Sequence, residues 1–179
     1  MPDNLHFQWY AIQTQSRFEK IVRDELSSRG IECLLPLCTR ISRWKGRQKR
    51  IEWPLFAGYC FGRFGLDQRM DVIHTTGVVQ IIGSVHAAVP IPEEEITAIQ
   101  RLIQSGSHYE TCPYHVEKGL RVTVTGGALQ GLHGKFVRTA SACRLIIAVN
   151  LIQQAASVDI DAEEIALAEG PMSLAFRVA

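Results

Sequence analysis

The 179 residues are enough for one large domain or two small ones, and a content of 46% hydrophobic and 21% charged residues excludes a disordered or fibrous chain. With 19 Lys and Arg against 18 Asp and Glu the net charge is +1, so any nucleic-acid surface has to be local rather than a property of the whole molecule. The cysteines Cys33, Cys38, Cys60, Cys112 and Cys143 are odd in number and scattered, which suits reduced thiols in a cytoplasm and not a secreted disulfide framework. Residues 1–8 lack the basic start and apolar run of a signal peptide, and no window approaches the ~18 apolar residues of a membrane span. The expectation is a soluble cytoplasmic protein without a membrane partner.

Trp9-Tyr10-Ala11-Ile12 reads as a buried strand. Ser16 and Glu19 have the spacing of a capping box, and Phe18, Ile21, Val22 and Leu26 follow at helical intervals up to Gly30, a natural left-handed stop. The pattern predicts a helix of about 13 residues. Residues 31–41 are extended in character, with Pro36 unsuited to a central strand. Arg40, Arg43, Lys45, Arg47, Lys49 and Arg50 then follow without an acid, and Trp44 and Gly46 in their midst mark a hairpin tip. From Pro54 the chain turns apolar, and 59–64 is expected as a central strand. A short helix over 68–75 and a strand over 78–82, closed by Gly83, come next. Pro92 opens another helix, with Glu93, Glu94 and Glu95 at its positive end and Ile96, Ile99 and Ile103 facing inward. This order describes an α/β sandwich.

Composition changes over 105–117, where Ser, Gly, His, Tyr and Pro occur without periodicity, and this stretch reads as a connection. Beyond it the chain becomes all-β. Val122 and Val124 alternate with polar neighbours, Gly126-Gly127 turns the chain, and Phe136-Val137 begins another strand. Residues 145–149 form a strand buried on both sides, and Val158 and Ile160 alternate with acids in a last short one. Several short strands within roughly 55 residues suggest a small SH3-like barrel. The expected fold class is α+β, with an α/β sandwich over 1–106, a linker over 107–115, the barrel over 116–168 and a patternless tail over 169–179.

The sharpest motif is the glycine spacing of Gly119-Leu-Arg-Val-Thr-Val-Thr-Gly-Gly127-Ala-Leu-Gln-Gly131-Leu-His-Gly134, in which glycines serve tight turns between closely connected strands. This segment resembles the KOW motif. Upstream, Trp9-Tyr10-Ala11-Ile12, Leu35-Pro36, Pro54-Leu-Phe-Ala-Gly-Tyr-Cys-Phe61, Gly77-Val-Val-Gln-Ile-Ile-Gly83 and Pro90-Ile-Pro92 resemble, in that order, the N-terminal (NGN) domain of NusG-family transcription factors. The matches span about residues 9–165, with Ala57 standing where that family usually has proline.

The resemblance implies an elongation or antitermination factor that binds the clamp helices of bacterial RNA polymerase and suppresses pausing. A specialised paralogue acting on particular operons is favoured by the short linker, the compact hairpin and Gly131-Leu-His-Gly134. A general housekeeping NusG and an RNA- or ribosome-associated KOW module are the alternatives. Carried over residue by residue, Phe56, Tyr59 and Phe61 are the expected polymerase contacts, and strand alternation puts Tyr59 and Phe61 on one face. Arg43, Trp44, Lys45 and Arg47 match the hairpin that approaches upstream or non-template DNA. A ribosomal protein or Rho is implied as the partner of the KOW domain, and Gly119, Gly127, Gly131 and Gly134 as its turn residues.

His74-Thr75-Thr76 reads as a helix end. Cys112 and His115 have no second ligand pair at zinc spacing, Glu93–Glu95 are accounted for by the helix dipole, and no glycine loop with Lys-Ser/Thr would cradle phosphate. No catalytic residue, metal or cofactor is expected.

Overall fold

The computed structural model describes residues 7–44, 47–84, 87–114, 119–138 and 143–168. The chain divides into two compact units, residues 1–97 and 98–179. In chain order the first contains β1 (Gln8–Thr14), α1 (Glu19–Ser28), β2 (Glu32–Leu34), β3 (Leu37–Trp44), β4 (Arg47–Pro54), β5 (Tyr59–Phe64), α2 (Arg69–Ile73), β6 (Val78–Ile81), β7 (Gly83–Ser84) and β8 (Ala87–Ala88). α3 (Glu93–Gln104) has residues on both sides of the division.

A four-stranded antiparallel sheet in the order β2-β5-β1-β6 organises the first unit. Its two central strands alternate between two apolar layers. On one face Tyr10 and Ile12 of β1 and Cys60 and Phe64 of β5 join Val22 and Leu26 of α1, Ile31, Leu35 and Val72 in a continuous core, with the Tyr10 and Phe64 rings 4.7 Å apart. On the other face Trp9, Ala11 and Phe61 are equally buried. The expected central strand over 59–64 is therefore present, and its apolar character follows from burial on both sides. β3 and β4 form a separate two-stranded ribbon, paired from Leu37↔Pro54 to Trp44↔Arg47. The basic hairpin is thus two full eight-residue strands.

Local details differ from the sequence reading. α1 spans ten residues, and no side chain caps its start at Phe18. Ser16 and Glu19 do not form a capping box, because the Glu19 carboxylate turns inward to accept the Gly58 N–H at 2.9 Å. Ile21 is exposed while Val22 and Leu26 are buried. In α3 the fully buried positions are Ile96, Ile99 and Leu102, and Ile103 lies at the margin of that stripe.

The second unit's strands are β9 (Tyr109–Cys112), β10 (Leu120–Val124), β11 (His133–Arg138), β12 (Cys143–Val149), β13 (Gln154–Asp159) and β14 (Ile165–Leu167). They form one antiparallel sheet in the order β14-β10-β11-β12-β13-β9. The final strand returns to pair with β10, the connectivity expected of an SH3-like barrel. Two strands were not foreseen. β14 follows the one expected to be last, and β9 lies inside the stretch taken as linker, where Tyr109 to Cys112 pair with β13 and Glu110 meets Arg144 at 2.8 Å.

Gly77 adopts φ +92, and a Cβ there would clash with the ring of Phe18. Replacing it by alanine combines left-handed strain with a steric clash, and Gly77→Ala is expected to destabilise the protein by more than about 1 kcal/mol, read as a lower midpoint in urea unfolding.

Candidate functional site

Of the three aromatic residues expected to make a contact surface, two are core. Phe56 and Phe61 are fully buried and meet edge-to-face with ring centroids 6.0 Å apart, an arrangement that fixes the apolar interior and leaves neither ring on the surface. Tyr59 is only half-buried. It shares its face with Phe61, as alternation required, but it is the first residue of β5, directly after the turn at Gly58. Its cross-strand partner is Gln13, whose own partner is Gln80 of β6, and the Gln80 amide donates to Gln13 Oε1 at 2.8 Å. The row Tyr59–Gln13–Gln80 is an aromatic residue beside two polar ones.

The turn ahead of Tyr59 is held from two sides. Gly58, at φ +79, donates its N–H to Glu19 and accepts the Thr14 N–H at 2.8 Å. Glu19 is only 5% exposed, so this hydrogen bond is what makes its burial tolerable. Ala57 is exposed in the same turn. Sequence reasoning assigned Glu19 to the helix cap and missed this brace.

Behind the turn, the Cys60 thiol is hydrogen-bonded to Cys33 of β2, and its pKa is pushed far up by that bond, by burial and by the charge of nearby Glu19. Burial also raises Tyr10 and Cys112. These shifts hold the groups neutral, the opposite of what a reactive thiolate needs. Among the described residues no group of three or more His, Cys, Asp and Glu could hold a metal ion, and no helix is long and apolar enough to cross a membrane.

The cationic ribbon is the second candidate feature. Arg43, Trp44 and Arg47 lie at its distal end, with Trp44 and Arg47 as register partners. Lys45 lies outside the described residues, as does His115. Nearer the base, Arg40 and Arg50 are exposed and Trp53 is 47% exposed. Trp53 went unremarked in the sequence because Pro54 beside it marks the return to apolar core. An open depression of about 510 Å³ lies along Lys20, Thr39, Arg50, Ile51 and Glu52, with Lys20 and Glu52 paired at 3.5 Å.

Thr75 of the His74-Thr75-Thr76 stretch is buried, bonds back to the Asp71 carbonyl at 2.9 Å and receives Arg29 Nη1 at 3.3 Å. It closes the end of α2, as read from the sequence. In the second unit Gly127 and Gly131 take φ +70 and +83 at the turn between β10 and β11. Gly119 and Gly134 serve close approach instead, since a Cβ would meet the Phe136 carbonyl at 2.9 Å and the Ile146 carbonyl at 2.7 Å respectively.

The α/β sandwich of the first unit and the six-stranded antiparallel sheet of the second fit an NGN-plus-KOW arrangement. The family model described as transcription termination factor nusG matches residues 7–100. The chain therefore belongs to the NusG family. The transcription termination/antitermination proteins NusG of Streptococcus pyogenes serotypes M3 and M1 are each 27% identical over 151 residues, spanning 76% of this chain and 83% of theirs. A solved structure described as domain interaction in Thermotoga maritima NusG has a likeness of fold, with a TM-score of 0.54 at 18% identity, covering 90% of this chain and 97% of that one.

Because Cys60 is fully buried and held neutral, it is expected to resist iodoacetamide in the native protein up to about pH 9, where an ordinary thiol ionises, and to alkylate promptly in urea. Peptide mass spectrometry of the two samples reads the difference.

Proposed function

We propose that this NusG-type transcription factor works by binding RNA polymerase at its clamp and suppressing pausing or termination, with no reaction of its own. The observation that carries this reading is the half-buried Tyr59 at the start of β5, beside Gln13 and Gln80 on a turn braced by Glu19 and Thr14. An amphipathic aromatic residue held in place loses little entropy on binding and suits an interface anchor. Phe56 and Phe61 support it from within the core rather than touching the partner. The N-terminal domain, residues 1–106, makes this contact, and the KOW domain, 116–168, recruits a second factor such as a ribosomal protein or Rho. A specialised paralogue role in the cytoplasm, acting on particular operons, accords with the short 105–108 connection between α3 and β9.

The basic ribbon contributes a second contact, to upstream or non-template DNA. Its cations exchange condensed counterions for phosphate contacts, so their effect is salt-dependent. Arg43, Trp44, Lys45 and Arg47 are the residues assigned to it.

In a pull-down with core RNA polymerase and a pausing assay on elongation complexes, the protein is expected to bind and to shorten pauses. Tyr59→Ala is expected to weaken polymerase binding by about 2 kcal/mol or more while leaving the far-UV spectrum and unfolding midpoint near wild type. Normal affinity in that folded variant would remove Tyr59 from the interface. Replacing Arg43, Lys45 and Arg47 together with glutamine should reduce the slope of log affinity against log salt for DNA by about one per lost phosphate contact. An unchanged slope would make the ribbon tip a solvated face.

A further inference from the structure

In the second unit one corner of the sheet's core face is left uncovered. Residues paired across antiparallel strands project to the same side, and alternate pairs share that side. The row Leu120–Phe136–Leu145–Val158 crosses β10, β11, β12 and β13 on the core face. Leu145 and Val158 are buried and Phe136 is half-buried, but Leu120 is 59% exposed. In the neighbouring row Val122 is buried, while its partner Leu167 of β14 is 67% exposed. Leu120 stands two residues before Val122, so the two leucines are diagonal neighbours about 7–8 Å apart. Both point the way the core does, and both are bare.

The chain carries a segment of matching character right beside this corner. β14 ends at Leu167, and the Ala168 N–H bonds to the Arg121 carbonyl of β10 at 3.1 Å, so the tail starts there. Residues 169–179 lie outside the described residues. Their sequence, taken above as patternless, has Met172, Leu174, Phe176 and Val178 at every second position, with Ser173, Ala175 and Arg177 between them. In an extended segment those four side chains share one side. Gly170-Pro171 ahead of them is a turn signal, which suits a chain that doubles back. The four residues from Ala168 to Met172 span up to about 13 Å, against about 5 Å from β14 to β10 and about 10 Å to β11. The apolar stripe therefore reaches both Leu120 and Phe136. We propose that residues 172–178 are an intramolecular ligand of the Leu120–Leu167 corner, so that any partner for this corner has to displace the tail. A tethered segment meets the corner at an effective concentration on the order of millimolar, well above that of a second copy in dilute solution. This cover goes beyond the polymerase and DNA contacts proposed above and needs neither.

The test puts the photo-crosslinker p-benzoylphenylalanine in place of Phe176 in the full chain, irradiates it in dilute solution and maps the products by peptide mass spectrometry. The expected product is an intramolecular crosslink to peptides of β10, β11 or β14. Leu120→Ser combined with Leu167→Ser should lower its yield about fivefold or more, because the apolar partner surface is gone. Hydrogen exchange gives a second readout that leaves the corner itself intact. Leu174→Ser combined with Phe176→Ser should speed exchange of the Leu167 and Ala168 amides about fivefold or more, with β12 and β13 unchanged. If the Leu120 and Leu167 variant does not fold, the tail variant and the crosslink map decide. A crosslinked dimer in place of the intramolecular product overturns the proposal and assigns the corner to a second copy. Crosslinks that avoid these three strands, no crosslink in the folded protein, or unchanged exchange in the tail variant overturn it as well.

Discussion

Both faces of β1 and β5 must be covered at once, and much else in the first unit follows from that constraint. A strand buried on one side can alternate apolar with polar residues, but these two cannot. Tyr10, Ile12, Cys60 and Phe64 fill one layer while Trp9, Ala11 and Phe61 fill the other. Gly62 is part of the same solution, since a Cβ there would sit 2.9 Å from the end of the Ile12 side chain. Of the charged residues only Arg63 stands on these two strands, and it pairs with Glu32 of β2 at 3.5 Å.

Tyr59 opens β5 at the end of the sheet's central strands, and its position depends on a buried carboxylate. Burying Glu19 would cost several kcal/mol without compensation, and the Gly58 N–H supplies a strong charge-assisted partner. The same glycine accepts from Thr14, so helix, strand and turn meet at one residue. Such a joint fixes the direction in which Tyr59 leaves the turn. Its neighbours Gln13 and Gln80 keep the surrounding surface polar, so the aromatic residue can be presented without an extended apolar patch.

The sequence carried most of the architecture because its signals were periodic or punctuated. Helical spacing marked α1 and α3, and alternation marked β10 and β12. Glycine spacing also located the Gly127–Gly131 turn. β9 was illegible for a physical reason: Tyr109-Glu-Thr-Cys is only four residues between Ser-Gly-Ser and Pro113, and it becomes a strand by pairing with β13, more than forty residues later. β14 is only three residues long and likewise depends on its partner. At the candidate site, the alternation placing Tyr59 with Phe61 was readable, but the depth of each along the strand was not. One sits over the interior and the other at the rim. Glu19 misled because a capping-box spacing is satisfied by sequence alone, whereas the competing acceptor role needs Gly58, distant in sequence.

The ribbon completes this division. A two-stranded hairpin is only marginally stable by itself, so it has to be anchored at its base. Cys38 is buried there, Leu55 is buried just beyond β4, and the Leu55 N–H bonds to the Pro36 carbonyl at 2.8 Å. From that anchored end the strands extend as a sheet of their own, with few demands for burial on their exposed residues. Cations that would be costly in the central sheet can be concentrated there, and a tryptophan can stay half-exposed at the boundary between anchor and charge. The fold thus puts two chemically different surfaces on separate supports: a half-buried tyrosine on a braced turn at the start of β5, and cations on a ribbon that shares no sheet with the core.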